Sequence, residues 1–270
     1  MRSAAARVPG AAFYREASIE MSTGPVSQNA PSAAAAEARR ELLRLFRERP
    51  IPDEELLVNL CLYMRSGALA RILFLDELYR KIVKLPGVIC EFGIWWGQSL
   101  VVFENLRAVH EPYHARRIVG FDTFAGYSGI GEADRRSSTI AEGVYGVPAG
   151  YEAYLDALLS CHEAENVMSH VRKHELVKGD ATASAGQWFE CNPEALVALA
   201  FFDMALYEPT KAALEAIGPR LVKGSVVAFD ELGNKDYPGE TRAALEVLGT
   251  EGFEIRRSRF LPDRSYFIKI

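Results

Sequence analysis

From residue 88 onward the chain repeats one pattern: a short apolar run, an acidic residue at its end, then in most cases a helical stretch. The runs cover 88–91, 118–122, 176–180, 199–203 and 225–230, and they end at Glu91, Asp122, Asp180, Asp203 and Asp230. Strands alternating with helices imply an α/β fold: a mainly parallel sheet covered on both faces. "EALVALAFFD" leads from a helix end or loop at Pro193 into a buried strand. The last two runs, "FEIRRSRF" and "RSYFIKI", are separated only by Leu261, Pro262 and Asp263. A gap that short suits a hairpin, so one terminal strand is expected to run antiparallel.

Composition narrows the partners. The 270 residues suit one large α/β domain or two small ones. A net charge of -5 gives no reason to expect nucleic acid, whose binders show a basic face. Four cysteines without a C-x-x-C pair argue against a zinc knuckle and a disulfide framework, and fit a reducing cytoplasm. No stretch nears ~18 consecutive apolar residues, so no membrane span is expected. Residues 1–35 are rich in Ala, Ser, Pro and Gly and read as a disordered or loosely attached tail. Early arginines, Arg2 and Arg7, without a sustained apolar core argue against a secretory signal. Residues 36–85 read as three helical stretches, "EARRELLRLFRER", about 53–64 and about 68–85, stopping at Pro86-Gly87. They join residues 86–270 in a single domain.

Ligands of open parallel sheets bind beyond the carboxyl ends of the strands, where the strand order switches. Five carboxylates at five strand ends therefore point to one crevice, although Asp after a strand also forms turns and caps helices. The first strand turns into a helix through "CEFGIWWGQS". A dinucleotide fingerprint reads G-x-G-x-x-G. The residues between Gly93 and Gly97 break that spacing, and no Walker A loop is present. What remains is a small-residue turn beside Glu91, which suits a cationic amino or sulfonium group better than phosphate. Asp122 could accept both hydroxyl hydrogens of a ribose. Asp180 could bond an adenine amino group or cap the next helix. A nucleoside with a cationic tail and no phosphate describes S-adenosylmethionine better than NAD, FAD or ATP.

Asp203 and the pair Asp230-Glu231 form a second group. If their strands are neighbours, three carboxylates meet, and burying them needs a counter-ion. A hard divalent cation such as Mg²⁺ would meet that need and lower the pKa of a bound hydroxyl. The alternative is that Asp230 caps a turn and Glu231 is solvated. The five histidines lie away from strand ends and read as surface or helix residues, and Tyr207, Glu208 and Thr210 as ordinary helix-start residues. One of Trp95 and Trp96 is expected to pack against the helix after the turn. The long glycine-rich stretch 124–151 suggests a flexible cover, with Arg135 and Arg136 as candidate phosphate contacts.

In order, "CEFGIWWGQS", "GFDTFAGY", "KGD", "FDMALYEPT" and "VVAFDEL" resemble the macrocin O-methyltransferase family of antibiotic sugar methyltransferases. The resemblance runs from about residue 59 to 270. It implies a class I methyltransferase fold with a seven-stranded sheet, S-adenosylmethionine and a divalent metal. Carried over by motif, Glu91, Gly93, Ser99, Asp122 with Thr123, and Asp180 with Ala181 belong to the cofactor site. The "LYMRS" segment adds Tyr63, Met64 and Ser66 near the methionine end. Asp203, Asp230 and Glu231 fall on the metal positions, and Asp203 is the candidate base or metal ligand. The implied acceptor is a deoxysugar on a sugar nucleotide, the 3-hydroxyl of TDP-rhamnose, in enediyne antibiotic biosynthesis. A homo-oligomer is also implied. The family shows D-G-D where this chain has Asp203-Met204-Ala205, and D-D where it has Asp230-Glu231. The rival readings are a methyltransferase acting on a catechol, a cephem or a finished glycoside, and a non-catalytic cofactor-binding protein that has lost activity through Ala205.

Overall fold

The computed structural model describes residues 32–134 and 140–270. Of the tail read over residues 1–35, residues 1–31 lie outside the described residues, as does the reading of Arg135 and Arg136 as phosphate contacts; residues 33–35 instead begin a helix. The apolar runs form β1 (Val88–Phe92), β2 (Ile118–Asp122), β3 (His174–Lys178), β4 (Val197–Phe202) and β5 (Leu221–Phe229). The closing hairpin is β6 (Phe253–Arg257) and β7 (Ser265–Lys269). The sheet order is β3-β2-β1-β4-β5-β7-β6, with β7 antiparallel to both β5 and β6 and the remaining pairs parallel. The order reverses between β1 and β4, which opens a crevice at their carboxyl ends.

Eight α-helices accompany the sheet among the described residues: α1 (Ala33–Arg47), α2 (Asp53–Leu56), α3 (Ser66–Ile82), α4 (Gln98–His110), α5 (Tyr151–Glu165), α6 (Ala181–Cys191), α7 (Tyr207–Ile217) and α8 (Gly239–Val247). Strand side chains alternate between two faces. Ile89, Ile118, Phe201 and Val226 pack with α3, α4 and α5. Cys90, Phe92, Phe121, Phe202 and Phe229 pack with α6, α7 and α8. On this second face four phenylalanines stack side by side across four strands. Phe121–Phe92 centroids are 4.7 Å apart, Phe92–Phe202 4.8 Å and Phe202–Phe229 5.2 Å. Each stands immediately before a residue of the crevice: Asp122, Gly93, Asp203 and Asp230.

Two local expectations change. The stretch 53–64 is α2 followed by a 3-10 turn, Leu60–Tyr63, rather than one helix. Asn59 lies at the break, where its side-chain amide donates to the Glu55 carbonyl at 2.9 Å; such local bonds compete with regular helix. The third strand starts at His174, two residues before the expected run, so His174 is not a surface or helix histidine.

His174 is buried, with Nδ1 3.1 Å from Glu163 and 3.4 Å from Glu104, and Nε2 3.3 Å from Asp156. Arg107 lies 3.7 Å from Glu104 and 3.6 Å from Glu163. Burial opposes the imidazolium, but the two glutamates outweigh it and raise the His174 pKa above its ordinary value. A raised folded pKa stabilises the fold below the unfolded value of about 6.5, and that contribution is lost as pH rises through the folded value. His174→Gln is therefore expected to cost most stability near pH ~6 and less toward pH ~9, read from urea midpoints across that range.

Candidate active site

A cavity of about 590 Å³ lies over the carboxyl ends of the central strands, a size that suits a small-molecule ligand. Gly93, Ser99, Asp122, Thr123, Asp180 and Ala181 all line it, as do Asp203, Asp230 and Glu231. Tyr63, Met64, Ser66 and Glu91 do not line it. Tyr63 instead packs edge-on against Phe46 at 5.0 Å, and Ser66 is the first residue of α3. Glu91 is 1% exposed, and its Oε2 has no hydrogen-bond partner among the described residues. Burial, only partly offset by the Arg71 charge, pushes the Glu91 carboxyl well above its ordinary value.

The two glycines of the first loop are required by the protein's own packing. At Gly93 (φ 88°) a Cβ would lie 2.2 Å from the carbonyl oxygen of Asp203. At Gly97 (φ 78°) it would lie 2.5 Å from Leu155 of α5. Asp122 braces the same loop. Its Oδ2 accepts the N–H groups of Ile94 (2.6 Å) and Trp95 (2.9 Å), and its Oδ1 accepts that of Phe124 (2.6 Å). Asp180 caps α6 by accepting the Thr182 N–H at 2.8 Å.

The acids of β4 and β5 face guanidinium groups. Arg71 of α3 donates to Asp203 Oδ2 and to Ser99 Oγ, each at 2.9 Å, and lies 3.7 Å from Asp230. Arg264, in the turn before β7, lies 2.5 Å from Asp230. Asp230 is buried, and burial with the nearby Asp203 charge raises its pKa to about 7 despite both arginines. Glu231 is also raised by burial and accepts a hydrogen bond from Asn234 at 2.6 Å. The donor atoms of Asp203, Asp230 and Glu231 do not all lie within 4.8 Å of one another. Among the described residues, the one set of three candidate ligands whose donor atoms lie within 4.8 Å of one another is Glu104, Glu163 and His174. That set already contains Arg107 as its counter-charge. In this arrangement Arg71 and Arg264 supply the positive charge beside Asp203 and Asp230, and the three acids expected to hold a metal would have to draw together to share one ion.

Glu240 of α8 is wholly buried and organises both acid strand ends. Oε1 accepts the N–H groups of Met204 (3.0 Å) and Ala205 (3.1 Å), and Oε2 accepts that of Glu231 (2.9 Å). Burial, partly offset by these donors, raises its pKa to about 8. Ala205 is held with φ 59°, a left-handed conformation that aspartate tolerates better than alanine.

The described part of the long loop between β2 and α5 borders the cavity. Tyr127 and Val144 pair across it (2.9 Å), and Tyr127, Ser128 and Tyr145 reach the cavity wall. Asp134 is buried and anchors the loop by accepting the Tyr207 N–H at 2.9 Å, at the start of α7. Trp96 packs edge-on against Tyr151 of α5 at 5.0 Å, and Trp95 against Tyr145 at 5.5 Å.

Known proteins share both the sequence and this architecture. The profile of a family described as "Methyltransferase domain" matches residues 90–232, just over half of the chain. The chain belongs to that methyltransferase family. The crystal structure of CalS11, calicheamicin methyltransferase, is 44% identical, with a TM-score of 0.85 over 88% of this chain and 93% of that one. The apo structure of CalS11, TDP-rhamnose 3'-O-methyltransferase, an enzyme in calicheamicin biosynthesis, is 41% identical, with a TM-score of 0.77 over 88% and 95%. The O-methyltransferase NovP shares the fold at 15% identity, with a TM-score of 0.60 over 87% of this chain and 98% of that one. The comparison with curated proteins found no match. In this methyltransferase no helix among the described residues is long and apolar enough to cross a membrane.

Sequence reasoning missed Arg71, Arg264, Glu240, Asp134 and the tyrosines of the cover. Arg71 left one signal, a lone charge inside the apolar run "LARILFL". Glu240 left none, because an acid in the first turn of a helix ordinarily serves the helix dipole. Glu240→Leu would strip the acceptors from three N–H groups at once. A buried unsatisfied group costs about 1–3 kcal/mol, so a loss of at least ~3 kcal/mol is expected in urea unfolding. An unchanged midpoint would show that the strand-end loops do not depend on Glu240.

Proposed function

We propose that this methyltransferase moves a methyl group from S-adenosylmethionine to a hydroxyl of a deoxysugar carried on a nucleoside diphosphate, the 3-hydroxyl of TDP-rhamnose. The observation that carries the reading is the 44% identity to CalS11 over most of both chains. By the same likeness the reading extends to antibiotic biosynthesis.

Gly93, Asp122, Thr123, Asp180 and Ala181 form the half of the cavity that would hold the cofactor. When bound, it supplies an electrophilic methyl group on a sulfonium sulfur. The other half, at Asp203, Asp230 and Glu231, would hold the sugar. Arg71 occupies Oδ2 of Asp203 at 2.9 Å, which fixes the carboxylate and leaves Oδ1 to take the proton of the acceptor hydroxyl. Side-chain proton transfer of this kind contributes about 10²–10⁴ in rate, and alignment of the hydroxyl adds to it. A divalent ion on Asp203, Asp230 and Glu231 is the finer part of the reading. It requires Arg71 and Arg264 to give up their carboxylates, so the proton transfer is derived without it. Self-association is proposed for the N-terminal segment, where Leu57, Val58 and Leu62 are exposed; a monomer in light scattering would end that proposal.

The test is methyl transfer from labelled S-adenosylmethionine to TDP-rhamnose, with and without EDTA. Wild-type protein is expected to label the sugar. Asp203→Ala is expected to lose about 10²–10⁴ in rate, with cofactor affinity by calorimetry unchanged. A rate unaffected by EDTA dismisses the ion; a rate lost to EDTA and restored by Mg²⁺ establishes it. Cofactor binding without transfer to any nucleotide sugar would replace this reading with a glycoside acceptor or a non-catalytic role.

A further inference from the structure

Five non-glycine residues adopt left-handed backbone among the described residues, and three of them, Trp95, Tyr145 and Ala205, line the cavity. For bulky residues this conformation is a genuine outlier, and such strain persists where the surroundings impose it, often at functional sites. Trp95 has φ 50° and is held there by the bond from its N–H to Asp122. Tyr145 has φ 66°, within a turn in which Val144 bonds Ala141 and Gly146 bonds Gly143. Neither ring is hidden in return for the strain. Trp95 is 47% exposed and Tyr145 42%. Their planes meet at 84° with centroids 5.5 Å apart, forming two walls of an open corner.

The corner belongs to a continuous aromatic ribbon. Tyr127 continues it from Tyr145 at 5.3 Å, and Trp96 continues it from Trp95 at 5.8 Å. The ribbon starts at the acid end of the cavity. The Tyr145 phenol lies within electrostatic reach of Asp203, Glu231 and Asp230, the groups assigned to the sugar. Of the residues assigned to the cofactor, Asp180 and Ala181 follow β3, and Asp122 meets only the backbone N–H of Trp95, not its ring. A sugar at Asp203 therefore has Tyr145 within reach and the exposed Trp95 ring next to Tyr145. A nucleotide sugar has this layout, with a polar ring at one end, a planar base at the other, and a diphosphate between.

We propose that Trp95 and Tyr145 form the seat for the pyrimidine base of the nucleotide-sugar acceptor, which makes them determinants of acceptor affinity. The inference rests on the nucleotide-sugar reading above. Stacking on an aromatic face tolerates any base, so TDP and UDP are expected to bind with similar strength.

The experiment compares wild type with Trp95→Ala, Tyr145→Ala and Trp95→Phe, using TDP as the calorimetric probe and TDP-rhamnose as the kinetic substrate. Loss of one stacked ring is expected to raise the Kd for TDP and the KM for TDP-rhamnose by about fivefold to 100-fold. kcat and the affinity for S-adenosylmethionine are expected to hold, and Trp95→Phe to recover most of the loss. Wild-type transfer to TDP-rhamnose with TDP affinity and KM unmoved in both alanine variants overturns the inference alone. A loss that falls on S-adenosylmethionine instead assigns the corner to the cofactor and also overturns it. Wild-type protein that neither binds TDP nor methylates a nucleotide sugar overturns this inference together with the reading beneath it.

Discussion

The site hangs on four stacked phenylalanines. Phe121, Phe92, Phe202 and Phe229 lie in register across β2, β1, β4 and β5 and stack at 4.7–5.2 Å. Offset stacking of this kind adds about 0.5–1.5 kcal/mol per pair beyond burial. Its larger effect is geometric. A strand displaced by one residue would turn its phenylalanine to the opposite face, so the row fixes where each strand ends relative to its neighbours. The residues that follow then emerge at one level, and Asp122, Gly93, Asp203 and Asp230 share a crevice although they lie far apart in the chain.

Above that row, carboxylates do two kinds of work. Asp122 and Glu240 each take three backbone N–H groups, and Asp134 and Asp180 take others. A loop leaving a buried strand has donors that no neighbouring strand can satisfy, and a side-chain oxygen is the nearest remedy. Asp203 and Asp230 face the cavity instead and are balanced by Arg71 and Arg264. Two guanidiniums stand against Asp203, Asp230, Glu231 and Glu91, and burial pushes the last three toward their neutral forms, so charge at the strand ends is close to balanced.

The first five strands could be read from the chain because each is an apolar run closed by an acid. Even the antiparallel β7 announced itself through the short Leu261–Asp263 gap. The division of labour among the acids could not be read this way. Asp122 and Asp203 stand in the same local context, after a phenylalanine at a strand end. One turns to backbone and the other to arginine because of loops and helices that are distant in sequence. Glu91 looked like a ligand for the same reason, yet burial beneath Ser99 and Arg71 keeps it out of the cavity wall. Gly93 and Gly97 suggested room for a ligand, and the space is taken by Asp203 and Leu155. His174 was misplaced because the charged Glu175 beside it hid the start of β3.

The order of β7 and β6 in the sheet has a consequence for how the molecule is made. β6 precedes β7 in the chain but reaches the sheet only through it, because β7 lies between β5 and β6. During synthesis, β5 therefore presents a bare edge until β7 has been laid in, and bare edges invite pairing with other chains. Arg264, one residue before β7, arrives with the same strand and brings Asp230 its closest positive charge. Closing the sheet and neutralising the acid end of β5 are thus one late event. A nascent chain that stops short of it has most of the fold but an acid strand end without that partner.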